Sequence, residues 1–551
     1  MAYRGLDEFL IRLEQSRELV RISTPVRATE DITRISQDHP HKAVYFEHVA
    51  DTAFPIVTNL FSTEKRLAWA LGVESLHSLT DKINELIPLD EPLSFGTLLS
   101  RAGAMMNALR SAGIGNGGRV RDIPVQAVKH TQAPTLAMLP IPQFYPQETH
   151  HSITMAQIVT VSPETGRAQT HLARAVWLDA HTLGIELRHC IAGHGKRIPA
   201  AVVLGGDPAA MWCASVPLPS NIAPYWLAGW LRRKAVPFCH AVSQPLEVPA
   251  DAEIVIEGTL HMDEIRHDVT FACNNGFFVE QMPFVTMHVT AITHRADAIF
   301  PVHVPQALSP EYHLMNKAVE RLLLPLLGVL LEDVKDLNQP KIGVGRNLTI
   351  ISLKHSTKTS VRRAMHGIWG LGNLAHSKAI IVVDRDINPH DEAAVFNALL
   401  QNVDWQQDII LLEGGVHPHD ASGTEPAYSG KIAVDATNKQ SPHERMPTPT
   451  FNTAGIDTAW HIWDNIGVVH LQDTGQIAHI RAANPHHHLI FVEQAIELSN
   501  REQVAWYVFA CVDWSRDIHI TPQGYVTIHA HNHQGMMIPL DKQRKHGTVT
   551  R

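Results

Sequence analysis

The sequence predicts a mixed α/β (α+β) protein of several domains. Three observations carry that expectation. Short β-rich segments run through the middle of the chain, helical patterning flanks them, and the last third holds an internal strand–helix repeat. A chain of 551 residues is long enough for more than one core. We expect domains at 1–125, 126–310 and 311–551.

The elements follow in order. Leu6 to Leu19 repeats apolar residues at helical spacing, and "KAVYFEHV" and "FPIVTNLF" then read as strands. A helix-rich stretch ends near Gly118 in the turn signal "GIGNGG". From about Thr135 the texture changes. "ITMAQIVTVS", "RAQTHLARAVWLD", "HTLGIELR", "IPAAVVLGG", "AEIVIEGTL" and "FVTMHVTAITHR" are strand-like runs separated by Gly, Pro, Asn and Asp, with "PYWLAGWLRRKAV" as a helix among them. After Pro310 helices return in "EYHLMNKAVERLLLPLLG" and "VRRAMHGIWGLG". The repeat sets 380–409 against 489–518. Asp404 and Trp405 recur as Asp513 and Trp514, each time inside VDW-x-x-DI. One βα unit cannot close a layer alone, so the two copies are expected to pack as related parts of one α/β region.

Composition narrows the function. The chain is 44% hydrophobic and 18% charged with a formal charge of −9, and it has no basic block of the kind that binds nucleic acid. Five cysteines (190, 213, 239, 273 and 511) show no C-x-x-C pairing, which points to a reducing compartment. Charges interrupt "MAYRGLDEFLIRLEQSRELV" too often for a signal peptide, and no apolar run reaches the length of a membrane span. The expectation is a cytoplasmic protein without nucleic-acid or membrane partners. The oddity is 36 histidines. "HAHNH" places His529, His531 and His533 at period two, on one face of a strand. Three imidazoles there can bind a metal, or they are polar residues on a solvated edge.

Several blocks in order now carry a resemblance. "FLIRLEQSRELVRISTPV", "VYFEHVADTAFPIVTNLFSTEKRLAWALG", "RIPAAVVLGGDPAAMWCASVPLP", "LEVPADAEIVIEGTL", "VTAITHRADAIFPV" and "GKIAVDATNK" resemble the UbiD-type decarboxylases over roughly residues 5 to 440. Beyond about residue 450 the repeat looks like an added segment. The resemblance implies an N-terminal α/β domain, a central split β-barrel that binds flavin and a C-terminal α/β domain that supports homodimers or higher homo-oligomers. It implies reversible, non-oxidative decarboxylation of aromatic or α,β-unsaturated acids with prenylated FMN (or FMN), a flavin prenyltransferase as supplier, and a divalent Mn or Mg with potassium at the phosphate. Loss of CO₂ from an sp² carbon leaves a carbanion that needs an electron sink, which explains the special cofactor.

Carried over by position, "QTHLAR" makes Arg174 the arginine that orients substrate and flavin, a role suited to a permanently charged fork of donors. The alternative is a structural ion pair. The implied cofactor contacts are Gln169, Ala173, Arg174, Arg188, His189 and the main chain of Ala214, Ser215 and Val216. Ser215 also reads as a plain hydroxyl at the core edge. His189 matches the family's metal histidine. Its asparagine is replaced by Gln169 and its glutamate by Pro224, which cannot ligate, so the usual metal is in question.

The family's acid loop overlays "DVTFACNNGFF" without gaps. Asp268 takes the first acid's place and Cys273 the second, while both turn glycines become Val269 and Ala272. We expect Asp268 to be buried among Phe271, Phe277 and Phe278, its carboxyl raised and serving as the proton donor. Cys273 is either a pocket-shaping thiol or a small buried hydrophobe. Two functions follow: an active carboxy-lyase with Arg174, Asp268 and Cys273 in its site, or a catalytically silent subunit of a multi-subunit (de)carboxylase.

Overall fold

The computed structural model describes residues 3–86, 108, 122–161, 166, 168–186, 197–219, 222–439, 450–454, 456, 458–493 and 496–540. Most of the expected helix-rich stretch before Gly118 lies outside them. The chain forms two compact units, Met1–Met315 with Met537–Arg551, and Asn316–Met536. The C-terminal stretch expected in the last domain thus leaves it at Met537.

The first unit begins with the helix Leu6–Gln15, which buries the stripe Leu6, Phe9, Leu10 and Leu13 and carries Asp7 and Glu8 at its positive end. Helical spacing continues in the sequence to Leu19, but Arg17 turns the chain with φ 58° and Leu19–Ile22 is strand β1. "KAVYFEHV" and "FPIVTNLF" supply β2 (Ala43–Phe46) and β3 (Ile56–Thr58). Next come β4 (Val128–His130), β5 (Ser152–Val161), β6 (Ala168–Asp179), β7 (Thr182–Glu186), β8 (Arg197–Leu204), β9 (Phe238–His240) and β10 (Glu247–Pro249). They are followed by β11 (Ile254–Arg266), β12 (Phe271–Ala272), β13 (Phe278–Val279), β14 (Phe284–His294) and β15 (Phe300–Val302). The last of these returns to the N-terminal sheet, ordered β1-β2-β3-β15.

The β-rich middle is a closed barrel. Strands run in the order β11-β8-β5-β6-β7-β14, and β14 pairs back onto β11, all antiparallel. Closure removes the sheet edges that such apolar strands would otherwise expose. The β11–β14 pairing shifts register between Glu257 and Gly258. A Cβ on Gly258 would lie 2.3 Å from the His288 carbonyl oxygen, so only glycine allows the two strands this approach. Ile153, Ala156, Ile158, Ala173, Ala175, Ile185, Val202, Ile256 and Met287 share the barrel's core.

The second unit confirms the repeat. Its first sheet takes β16 (Val334–Asn338), β17 (Leu348–Leu353), β18 (Ala379–Val383), β19 (Ile409–Gly415) and β20 (Tyr428–Asp435) in the order β16-β17-β18-β20-β19. The second takes β21 (Trp460–Trp463), β22 (Ile466–His470), β23 (His488–Val492), β24 (Ile518–Ile520) and β25 (Val526–Ala530) in the order β21-β22-β23-β25-β24. In both, two outer strands are antiparallel and the central three parallel. The helices Glu392–Asn402 and Arg501–Cys511 occupy matching crossovers, with Asp391 and Asn500 as side-chain N-caps. The repeated VDW-x-x-DI has a local reason. Asp408 accepts from the Asp404 N–H at 2.9 Å, and Asp517 from the Asp513 N–H at 2.9 Å, closing the same turn before each outer strand. Among the described residues no helix is long and apolar enough to cross a membrane.

Candidate active site

Strand alternation turns Ala173 and Ala175 into the barrel core and Arg174 to the opposite face. Its guanidinium donates to Ser152 Oγ on β5 at 2.8 Å and to the Ala272 carbonyl on β12 at 2.8 Å. The Phe271 ring lies flush beneath it, 4.5 Å from the guanidinium carbon. Two hydrogen bonds and one aromatic face fix the plane of the fork.

The Ala272 peptide is gripped from both sides. Its carbonyl meets Arg174, and its N–H donates to Glu148 Oε1 at 3.0 Å. The other Glu148 oxygen accepts from the N–H groups of Phe144 at 2.6 Å and Tyr145 at 3.2 Å. Glu148 is 3% exposed. Burial pushes its carboxyl above the usual range, against the pull of Arg174 and the backbone donors. Nothing in the sequence reading singled out Glu148. The available signal was a lone carboxylate in the apolar, Pro-rich run "PIPQFYPQET".

A second buried pair meets the same hairpin. His303 places Nδ1 2.7 Å from Glu311 Oε2 and Nε2 2.8 Å from Asn274 Oδ1, while Glu311 Oε1 accepts from the Phe61 N–H at 2.8 Å. Both side chains are buried. An imidazole oriented by a carboxylate is a proton-handling arrangement. It too was missed, because Asn274, His303 and Glu311 are joined only by the fold.

The two expected acid-loop residues separate. Cys273 is buried with Val176, Val269, Phe271 and Phe284, and its N–H donates to the Phe277 carbonyl at 3.0 Å to close the turn, where Gly276 has φ 94°. Asp268 requires a correction. Its side chain is 56% exposed and paired with Arg266, Nη2 to Oδ2 at 2.5 Å and Nε to Oδ1 at 2.9 Å. The Arg266 bonds hold its carboxyl below the ordinary range, opposite to the expected upward shift. The Phe residues nearby in sequence point inward, and Asp268 does not share their face.

Of the expected cofactor contacts, Arg188 and His189 lie outside the described residues. Gln169 sits half-buried on β6 opposite Thr160. The Leu172 N–H donates to the Ala214 carbonyl at 2.7 Å, which brings Ala173 and Arg174 alongside the turn Ala214–Val216. The turn's own N–H groups are used in closing it: Ser215 donates to Trp212 O at 2.9 Å and Val216 to Cys213 O at 3.1 Å. The Ser215 hydroxyl also donates to Trp212 O, at 2.7 Å, as a core-edge hydroxyl does. Ala214–Val216 therefore form a wall of small side chains along Ala173 and Arg174. Pro224 opens the helix Pro224–Arg232 at its first turn and is buried, a position that suits proline's missing N–H. Among the described residues, Gln169 and Pro224 do not fit the expected divalent metal.

Comparison with known proteins places this geometry. Residues 10–86, 119–307 and 313–436 with 472–545 match the N-terminal, Rift-related and C-terminal domain models of 3-octaprenyl-4-hydroxybenzoate carboxy-lyase. The last match includes the second copy of the repeat, which is thus part of the family's C-terminal domain and not an added segment. An uncharacterised protein of Archaeoglobus fulgidus is 30% identical over 461 residues, 80% of this chain and 92% of the relative. One from Aquifex aeolicus is 30% identical over 454 residues, covering 79% and 92%. Among solved structures, vanillic acid decarboxylase of Sedimentibacter hydroxybenzoicus in closed form aligns with a TM-score of 0.68 at 22% identity, over 82% of this chain and 97% of that one. The UbiD-class enzyme HmfF of Pelotomaculum thermopropionicum, in complex with FMN, aligns with a TM-score of 0.67 at 22% identity, over 82% and 98%.

Proposed function

The chain belongs to the UbiD family of carboxy-lyases, and from that premise we propose that it decarboxylates, reversibly and without oxidation, an aromatic or α,β-unsaturated carboxylic acid with prenylated FMN as cofactor. The observation that supports this reading best is Arg174, a guanidinium held flat over Phe271 beside the Ala214–Val216 wall. When bound, the modified flavin supplies the electron sink that the departing CO₂ requires. Gln169, Ala173, Arg174 and Ala214–Val216 are the described residues that would hold it.

The protein's own part is orientation and proton handling. Arg174 orients the substrate carboxylate, because its plane is set before substrate arrives. Glu148 balances the arginine's charge and locks the Ala272 peptide. The proton that replaces CO₂ comes from the dry side of the hairpin, where Glu311 and His303 meet Asn274 next to Cys273. Asp268, ionised and paired with Arg266, lacks a proton to give in this conformation.

The test is co-expression with a flavin prenyltransferase, then the absorption spectrum, the mass of the bound cofactor and hydrogen–deuterium exchange at the α-carbon of a panel of aromatic and unsaturated acids in D₂O. Bound flavin with exchange on at least one acid is expected. His303→Gln should lower exchange about 10²–10⁴-fold with flavin retained, as loss of a positioned acid does. Absence of flavin after co-expression would sink the enzyme reading. Undiminished exchange in His303→Gln would move the proton source elsewhere.

A further inference from the structure

We infer that Glu493, His529 and His531 form a binding site for a divalent transition-metal ion of the zinc, cobalt or nickel kind, at the carboxyl edge of the second copy of the repeated sheet.

The two copies stay in step beyond the VDW-x-x-DI segment. Val382 of β18 pairs with Asp435 of β20, and Phe491 of β23, its counterpart, pairs with His529 of β25. Reading on, Asp435-Ala436-Thr437-Asn438-Lys439 falls against His529-Ala530-His531-Asn532-His533, with Ala and Asn identical. The backbone bonds agree. Asp435 N–H donates to Asp408 O at 2.8 Å, and His529 N–H to Asp517 O at 2.9 Å. Asn438 N–H donates to Asp384 Oδ2 at 2.6 Å, and Asn532 N–H to Glu493 Oε2 at 3.1 Å. "HAHNH" is thus the second copy's version of "DATNK", built on the same main chain.

What differs is the charge. The first copy carries its own cation: Lys439 Nζ lies 3.2 Å from Asp408 Oδ2 and 3.4 Å from Asp435 Oδ1. In the second copy the lysine, the aspartate and the threonine are all imidazoles. The position of the fixed ammonium is taken by an imidazole, and two more imidazoles face the Glu493 carboxylate.

The donors converge. His529 Nε2 lies 3.0 Å from Glu493 Oε1, His531 Nδ1 meets the same oxygen, and the three ligand atoms fall within 4.8 Å of one another. Tetrahedral zinc with bonds of about 2.0–2.1 Å separates its ligands by about 3.3 Å, so the ion fits with small side-chain adjustments. Two imidazoles and one carboxylate favour zinc, cobalt, nickel or copper over magnesium or calcium. The Asn532 N–H on the second oxygen of Glu493 orients the carboxylate, as outer partners of metal ligands do. The His533 ring packs against that of His531, with centroids 4.1 Å apart, and the fourth position is left to water. The ligands are partly open to solvent, so the ion should exchange readily. A second group, His261, Glu264 and His288 on the barrel, has the same donors, but Glu264 and His288 are 46% and 43% exposed. It serves as the control.

The test uses the full chain without an affinity tag, stripped with chelator and titrated with Zn²⁺ by calorimetry and with Co²⁺ by visible absorption. The wild type should bind one equivalent that His529→Ala/His531→Ala loses and His288→Ala keeps. A tetrahedral cobalt band should vanish with it, and Zn²⁺ should raise the melting temperature of the wild type and of His288→Ala but not of the double variant. Glu493→Gln, nearly isosteric, should weaken binding without altering circular dichroism. Equal stoichiometry in wild type and double variant would overturn the assignment, as would loss of the equivalent only in His288→Ala.

Discussion

The two ends of the hairpin from Arg266 to Val279 use the same chemistry in opposite surroundings. At the wet end Arg266 and Asp268 form a two-bond ion pair with both side chains about half exposed. At the dry end Arg174 and Glu148 each hold one side of the Ala272 peptide, and Glu148 is almost wholly buried. Water screens the first pair, so its net worth is small. No such screening protects the second, where removing either partner leaves a charge and backbone donors stranded. The exposed pair is therefore the weaker one.

The largest effect should come from the dry end. Glu148→Ala strands the Phe144, Tyr145 and Ala272 N–H groups beside an unbalanced Arg174, and should destabilise the first unit by about 3–5 kcal/mol in denaturant unfolding. A cost under about 1 kcal/mol would erase the contrast. Phe271→Ala should come next, at about 3–5 kcal/mol for a fully buried ring, with looser Arg174 positioning as well.

Titration separates the ends by sign. Glu148 has a folded pKa above its unfolded value, so its stabilising contribution is complete below the unfolded value of about 4.3 and is lost as pH rises through the folded one. Asp268 is shifted down, so its contribution is present above about 3.9 and lost as pH falls. Stability measured between pH 3 and 8 should show the two slopes removed separately by Glu148→Gln and Asp268→Asn. The smallest effect is Asp268→Asn at neutral pH, within about 0.5 kcal/mol and shrinking further in salt. A loss of more than about 2 kcal/mol there would mean that the wet end is not screened.

How much of this was legible depended on how local the cause is. The barrel strands announced themselves because each is a run of β-formers cut by turn residues. The repeat did so because Asp404 and Asp408 must close one turn, as Asp513 and Asp517 close another. Arg174 was found through the resemblance of "QTHLAR" to the family's stretch, and β6 carries it on the face opposite Ala173 and Ala175. Asp268 was misplaced. Three phenylalanines follow it within the loop, but sequence proximity does not say which face a residue takes, and Arg266 two positions earlier competes for it. Glu148 and the pair His303–Glu311 were illegible because their partners, Ala272 and Asn274, lie far along the chain.

Met537 and Ile538 add a constraint on when the hairpin can be finished. Met537 bridges Phe277 in antiparallel fashion, and the Ile538 N–H donates to the Gly276 carbonyl at 2.8 Å, with Ile538 wholly buried in the first unit's core. All of Asn316–Met536 is made between the hairpin and this partner. On the ribosome, the first unit therefore waits for the entire second unit before the Met537 bridge and the Ile538 side chain exist. A contact of such sequence separation forms late and slowly. A nascent chain stopped at residue 536 would lack the Ile538 bond to the Gly276 carbonyl and should be nicked at that turn by protease sooner than the 551-residue chain.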